Sequence, residues 1–267
     1  MTRILAAIDN SLATTPVLGL AGRLAGFFGG DVDAVHVRVD GHDVVVSAAA
    51  AAGLEARVLS GPVAETLARE TEAEDVAAMV VGSRGLPHSR RRVGQTAFAI
   101  LETVEKPVAV VPPEASVERL QRVLVPLEGS ESTSLAPRRM IELAQGAELD
   151  VVVLHVHDES SLPAFTDQPQ HETAAWSDEF LARYCPWGIR DVRFESRVGR
   201  PDEQVLRTVD ETGADLIALG WSRALAGGRG PVVRALLERG RVPILLIPVQ
   251  RVDRAVTDRA LASASPS

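Results

Sequence analysis

Short apolar runs of four to seven residues alternate along the chain with longer stretches in which apolar residues recur every three or four positions. The first pattern is typical of strands buried in a parallel sheet, and the second of helices that cover one face of such a sheet. The alternation predicts an α/β protein built from β-α units. In the first half, strands are predicted at Ile4–Ile8, Val32–Val39, Ala56–Leu59, Ala77–Val81 and Val108–Val111.

Helices fill the spaces between these strands. Thr15 is expected to cap the first helix, with Pro16 at its first position, where a missing N–H does no harm. Gly29 and Gly30 are expected to end it, because glycine readily adopts the left-handed conformation that closes a helix. The helices predicted in this half are 16–28, 46–52, 62–71 and 94–104.

The second half repeats the first. The sequence RILAAIDNS at 3–11 returns as RVLVPLEGS at 122–130, and KPVAVVP at 106–112 returns as VPILLIP at 242–248. A repeat of this length is one ordinary domain rather than a solenoid unit. The second set of strands is predicted at Val123–Leu127, Leu149–His157, Val192–Arg197, Leu216–Leu219 and Ile244–Pro248. Its first helix is predicted to end near Gly146. The other helices of this half are predicted at 172–183, 201–211 and 232–239.

The domain boundary is predicted where prolines oppose both helix and sheet, at Pro112 and Pro113. We expect two tandem five-stranded parallel-sheet domains, at 1–113 and 114–249. Residues 250–267 alternate charged and small side chains, which predicts a disordered tail.

Composition narrows the classes of partner. The net charge of −8 argues against non-specific binding to nucleic acid or to an anionic membrane. No run approaches the ~18 apolar residues that a membrane helix needs. The single cysteine, Cys185, cannot form an intramolecular disulfide, which suits a reducing compartment. We therefore expect a cytoplasmic protein without nucleic-acid or membrane partners.

Candidate chemistry lies at the carboxyl ends of the first and fourth strands, where open parallel sheets bind ligands. A carboxylate follows the first strand, and a glycine turn that leads into a helix follows the fourth. Glycines bring backbone N–H groups close to an anion, and a helix N-terminus favours negative charge. Together these features predict a phosphate site with a carboxylate opposite, suited to the amine and hydroxyl groups of a nucleoside. The candidate residues are Asp9, Gly82, Ser83, Arg84, Gly85, Gly94 and Gln95.

These residues resemble the ATP-binding members of the universal stress protein family. Those members carry an Asp after the first strand and a loop G-x2-G-x9-G-[S/T] after the fourth, on a Rossmann-like sheet of order 3-2-1-4-5. The resemblance covers nearly the whole chain as a tandem pair and includes Gly61-Pro62 and Gly199-Arg200-Pro201. It implies that Asp9 contacts adenine, while the glycines of the loop line the ribose and phosphates of ATP.

The first copy departs from the family loop in two ways. Only eight residues separate Gly85 from Gly94, and Gln95 stands where a hydroxyl usually meets phosphate. Gln95 still offers an amide N–H and a side-chain donor. The segment Arg90–Arg92 inside the loop either neutralises phosphate or forms a solvated basic turn.

The second copy departs further, which predicts a degenerate site. Glu128 replaces the Asp, Arg223 stands where the second glycine belongs, and Pro231 has no N–H for a phosphate. Trp221 either stacks on a base or, as we expect, plugs the space that a nucleotide would need.

The two Val-His pairs, with His36 and His155, occupy matching places near the ends of the second strands. Their match predicts a shared hydrogen bond to a neighbouring loop rather than catalysis, because no nucleophile or acid accompanies them. No catalytic residue and no metal ligand is expected. The chain also contains no G-x4-G-K-[ST] loop.

The sequence predicts a regulatory protein whose first domain binds ATP or another adenine nucleotide, with the loop at 82–94 ordered by the ligand. Two alternatives stay open: a ligand-free interaction module, and a slow ATPase or self-phosphorylating enzyme. By family precedent, the apolar strands Val108–Val111 and Ile244–Ile247 are expected to cover each other in an internal pseudo-dimer. Pairing of two chains is a further expectation.

Overall fold

The computed structural model describes residues 1–9, 11–38, 47–84, 94–127, 149–157, 178–180, 182, 192–223 and 230–249. Within these ranges, ten strands form one sheet of order β3-β2-β1-β4-β5-β10-β9-β6-β7-β8. The strands are β1 Arg3–Ala7, β2 Asp31–Arg38, β3 Arg57–Ser60, β4 Val76–Gly82, β5 Val108–Val111, β6 Arg122–Leu127, β7 Asp150–His157, β8 Val192–Val198, β9 Leu216–Trp221 and β10 Ile244–Pro248. The helices with defined bounds are α1 Thr14–Phe28, α2 Ser47–Ala51, α3 Val63–Thr71, α4 Gln95–Thr103, α5 Pro201–Thr212 and α6 Gly230–Arg239.

Each half of the sheet is parallel and has the predicted order. The first half runs β3-β2-β1-β4-β5, and the second repeats this order as β8-β7-β6-β9-β10. The central strands have no exposed face, which is why they appear in the sequence as continuous apolar runs rather than as alternating ones. The predicted fold class is confirmed.

The two halves join through their last strands. β5 and β10 pair antiparallel, with Ala109 opposite Leu245, so the ten strands make one continuous sheet. Both strands are buried and would otherwise be unpaired apolar edges. The pairing expected between the two halves is therefore present.

Two apolar layers cover the two faces of the sheet. Along β1, Ile4 and Ala6 pack with α1 on one face, whereas Leu5 packs on the face covered by α3 and α4. The second face also carries α5 and α6. Because successive strand residues point to opposite faces, one strand serves both layers.

Helix α1 begins two residues before the prediction and without a side-chain cap. Its N-cap is Ala13, so Thr15 is not the cap and Pro16 occupies the third helical position. The prediction was wrong because Thr14 is buried and its hydroxyl donates to the Asp9 carbonyl, which draws the helix start toward the end of β1. At the other end, Gly29 adopts φ 62°, as predicted for a glycine that ends a helix.

The linker at 112–121 has neither helix nor strand, and it packs against α1. A Cβ added to Gly19 would lie 2.5 Å from the Val117 Cγ2 atom, so a larger residue there would displace the Val117 side chain where the linker crosses α1. Arg23 donates to the Glu118 carbonyl and fastens the linker at a second point.

Several predictions fall outside the described residues: the tail at 250–267, Gly85, Arg90–Arg92, Glu128, Cys185, the second-half helix ending near Gly146 and most of 172–183. Across the part of the chain that the structure covers, no helix is long and apolar enough to cross a bilayer.

Candidate functional site

The turn after β1 holds Asp9 in a fixed place. Its Oδ1 atom accepts a hydrogen bond from the Ser11 backbone N–H at 2.8 Å and a longer one from the Thr14 hydroxyl at 3.4 Å. The Ser11 hydroxyl in turn accepts from the Ala13 N–H at 3.2 Å. This is an Asx turn, in which a short carboxylate replaces a backbone acceptor. Among the described residues no bond reaches Oδ2, so this oxygen can accept a ligand's donor.

The turn after β4 is closed by two backbone hydrogen bonds to Ser83. The Ser83 N–H donates to the Val111 carbonyl at 2.8 Å, and the Ser83 carbonyl accepts from the Gly94 N–H at the same distance. Ser83 is only 3% exposed. The bond to Gly94, which is the N-cap of α4, fixes the start of that helix beside the end of β4.

Gly82 brings the two turns together. A Cβ built on Gly82 would lie 2.8 Å from the Ala13 Cβ and 3.4 Å from the Arg84 carbonyl oxygen. A side chain at this position would therefore force β4 away from the start of α1. The absence of a side chain lets the Asp9 turn and the glycine turn lie at one end of the sheet, as the ends of neighbouring strands must.

The other residues predicted to bind the nucleotide are Arg84, Gln95 and Gly85. The Arg84 Nη1 atom lies 3.5 Å from Glu114 Oε1, so this guanidinium pairs with the linker. Gln95 is exposed at the first position of α4, and no side chain caps that helix. The first N–H groups of α4 are thus without a capping side chain beside Ser83. Gly85 lies outside the described residues.

The two matching histidines have the same hydrogen bond. His36 donates from Nδ1 to the Ile8 carbonyl at 2.9 Å, and His155 donates from Nδ1 to the Leu127 carbonyl at 2.9 Å. The shared structural role predicted from the repeat is confirmed. His36 is 6% exposed and its Nε2 atom is buried without a partner, directly beside the strand end that carries Asp9. The sequence did not predict this unpaired atom. The related signal in the sequence is the Val-His pair that occurs in both halves.

The equivalent place in the second half holds two imidazole rings. The ring centroids of His155 and His157 are 4.5 Å apart, and Phe180 lies 4.8 Å from His155. Burial lowers the pKa of His155, the bond to Leu127 opposes this shift, and the charge of His157 adds to it. Burial also lowers the pKa of His157. Both rings are therefore neutral near pH 7. The described ranges contain no group of three or more metal-ligating side chains.

Trp221 is buried against the first half of the chain. The side chain is 1% exposed, and its Nε1 atom donates to the Leu101 carbonyl of α4, in the first half, at 3.1 Å. It lies on the sheet face that carries α3 to α6. The indole thus joins the two halves, and its filling of a nucleotide space in the second half stays a prediction, because 128–148 and 224–229 lie outside the described residues.

The two halves correspond residue by residue at this point. Gly82 pairs with Val111 in the first half, and Gly220 pairs with Ile247 in the second. Trp221 therefore stands where the first half has Ser83. The two copies share a fold and differ in the turn after the fourth strand.

The sequence profile of the universal stress protein family matches residues 43–112 and 119–248, once in each half. The chain belongs to the universal stress protein family. No curated protein matches it in sequence.

Solved structures share the tandem arrangement. A universal stress protein from Archaeoglobus fulgidus DSM 4304 is 16% identical, with a TM-score of 0.66 over 92% of this chain and 98% of its own. A functionally unknown protein from Pseudomonas aeruginosa PAO1 is 15% identical, with a TM-score of 0.67 over 99% of this chain and 98% of its own. At these identities the likeness supports the fold alone.

Proposed function

We propose that the first half binds an adenine nucleotide, ATP in the first instance, at the carboxyl ends of β1 and β4. The observation that supports this most directly is the close approach of Gly82 to Ala13, which puts the Asp9 turn beside the glycine turn. Asp9 Oδ2 would accept from an amine or hydroxyl of the nucleoside. The N–H groups of the first turn of α4, from Gln95 onward, would donate to phosphate oxygens, because the Gly94 N–H is already bonded to the Ser83 carbonyl.

The nucleotide acts here as a regulatory ligand of a cytoplasmic protein with domains at 1–113 and 114–249. Ligand bound at Asp9 and at the start of α4 would hold the segment 82–94 in one conformation. Partner proteins would recognise that segment, so nucleotide occupancy would control their binding. A signal of this kind needs binding energy but no bond cleavage.

The ligand-free module and the enzyme remain the competing functions. The Arg84–Glu114 pair favours the first of these, because it already satisfies the charge of one predicted phosphate contact. The enzyme would need a general base and side chains that hold Mg²⁺ near the segment 82–94.

Calorimetric titration with ATP, with and without Mg²⁺, tests the proposal. We expect one site per chain in the wild type and an affinity at least about tenfold weaker in Asp9→Asn, because a hydrogen bond to a charged acceptor is lost. Glu128→Gln, at the matching position of the second copy, should leave affinity and stoichiometry unchanged. Gly85→Arg, which copies the second loop into the first, should abolish binding.

The same samples separate the alternatives. No heat and no thermal shift at millimolar ATP would favour the ligand-free module. Steady release of inorganic phosphate from ATP would favour the enzyme.

A further inference from the structure

Two contacts from the second half are made to helix α4 of the first, and a third is made to Glu105, two residues beyond its end. The Trp221 indole donates to the Leu101 carbonyl, Arg223 Nη1 lies 2.8 Å from Glu105 Oε1, and the Arg234 guanidinium lies 5.6 Å from the centre of the Phe98 ring. We call these three contacts the α4 clasp. The clasp side chains come from the end of β9, the residues after it and α6.

The Trp221 bond satisfies a backbone carbonyl near the C-terminal end of helix α4. The last carbonyls of an α-helix have no partner within the helix. The N–H that would ordinarily bond the Leu101 carbonyl is that of Glu105, and it donates instead to the Glu72 carboxylate at 2.7 Å. Trp221 and Leu101 are each 1% exposed, so water cannot replace the indole. The second half therefore completes the C-terminal end of α4.

Arg223 shows that the clasp shapes the second copy's backbone. Its φ of 58° is the left-handed conformation that favours glycine, and Arg223 is the only non-glycine residue with positive φ in the described ranges. By register, its counterpart in the first half is Gly85, the second glycine of the family loop. The second copy thus holds a long side chain on a backbone conformation that favours glycine, and this side chain reaches Glu105.

Helix α4 connects the clasp to the proposed site. It has nine residues, so its ends are about 13 Å apart, and at this length it moves as a rod. Its first turn follows Gly94, whose N–H is bonded to the Ser83 carbonyl at 2.8 Å. A helix held by the clasp at Phe98, at Leu101 and just beyond its end presents its first N–H groups at a set position.

We propose that the α4 clasp makes Trp221 and Arg223 positioning residues for the nucleotide site of the first half. The inference rests on the proposed function, because it concerns affinity at that site. Residues of the second copy thus position a helix of the first. Binding free energies are reciprocal, so if the clasp raises the affinity for a nucleotide, the bound nucleotide stabilises the clasp by the same free energy.

Two substitutions test this at the ATP site. Trp221→Phe removes the indole N–H and keeps an aromatic ring, and Arg223→Gly removes the ion pair while restoring a residue suited to positive φ. We expect each to weaken ATP binding about two- to tenfold, the usual size of coupling between distant sites. Arg193→Ala, on the outer strand β8, removes an exposed arginine of the same half and should leave affinity unchanged.

Arg223→Gly separates positioning from simple loss of stability. Because it relieves the left-handed backbone, its melting temperature should not fall even though its affinity for ATP does. Trp221→Phe carries a risk of unfolding, so its melting curve is measured beside that of Arg223→Gly.

Tryptophan emission gives a readout that a purely structural role would not move. The chain has three tryptophans, so Trp176→Phe with Trp187→Phe leaves Trp221 as the sole emitter. ATP should shift or quench its emission, and Asp9→Asn should shift the titration to higher ATP.

The outcomes are distinguishable. If the wild type binds no ATP, both the proposed function and this inference are overturned. If it binds ATP but Arg223→Gly and Trp221→Phe bind equally well, with Trp221 emission unchanged, the inference alone fails.

Discussion

Replacing Gly82 by alanine tests whether the two turns of the candidate site meet as closely as the structure shows. The added methyl group would lie 2.8 Å from the Ala13 Cβ, well inside van der Waals contact, and 4.0 Å from Val17 Cγ2. The Ala13 methyl cannot rotate away, so either β4 or the start of α1 must shift. The backbone of Gly82 lies outside the left-handed region, so the penalty is steric rather than conformational.

The size of the effect can be worked out from overpacking of buried sites. Extra methyl groups in a packed interior cost about 1–3 kcal/mol in unfolding free energy. For a chain of this size, that corresponds to a fall of about 2–12 °C in melting temperature. A shift of α1 would also disturb the Thr14 and Ser11 bonds to Asp9, so ATP affinity should fall as well.

The measurement is thermal and urea denaturation by circular dichroism, with titration of the same samples with ATP. Gly22→Ala is the matched control, since a Cβ there has no neighbour within 4 Å and the position is inside α1. It should stabilise the protein by about 0.5–1 kcal/mol through helix propensity. If Gly82→Ala were as stable as Gly22→Ala, the close approach of the two turns would be refuted.

Two further predictions concern charge. Burial opposes ionisation of Asp202, but Arg200 and Arg239 outweigh it and lower its pKa, so its stabilising contribution is full above about pH 4 and is lost as pH falls through the folded value. Asp202→Asn should lower the unfolding free energy by about 1–2 kcal/mol at pH 7 and should make it depend less on pH between pH 4 and 2. Urea midpoints measured across this range test this, and an unchanged dependence on pH below 4 would contradict it. His155 and His157 have lowered pKa values, so the unfolded chain binds more protons and unfolding free energy should fall as pH drops below about 6.5. Replacing His155 by Asn, which can keep the bond to Leu127, should reduce that slope between pH 7 and 5, and an equal slope in both proteins would count against the assignment.

The sheet could be predicted from sequence because its strands are buried on both faces. Runs such as Val108–Val111 have no polar residue to interrupt them, and their spacing fixes the parallel crossovers. The ends of adjacent parallel strands meet, so the neighbourhood of Asp9 and Gly82 was also predictable from the chain order. The start of α1 was not, because it depends on a bond between Thr14 and the turn before it.

The role of Trp221 was beyond sequence reasoning. Its hydrogen bond joins residues 120 positions apart and exists only because β5 and β10 pair antiparallel. The link between Arg84 and Glu114 likewise depends on the path of the linker. Such contacts arise from how one half sits on the other, and no local pattern encodes them.

The antiparallel junction of β5 and β10 has a consequence for divergence. In an assembly of two identical subunits, any residue placed on one side is imposed on the other, so a tryptophan in the position of Trp221 would also replace Ser83. Joining both copies in a single polypeptide removes that constraint. The residue at this position can then differ between the copies. In the second copy it contacts the other half, whereas in the first it remains a serine within the turn.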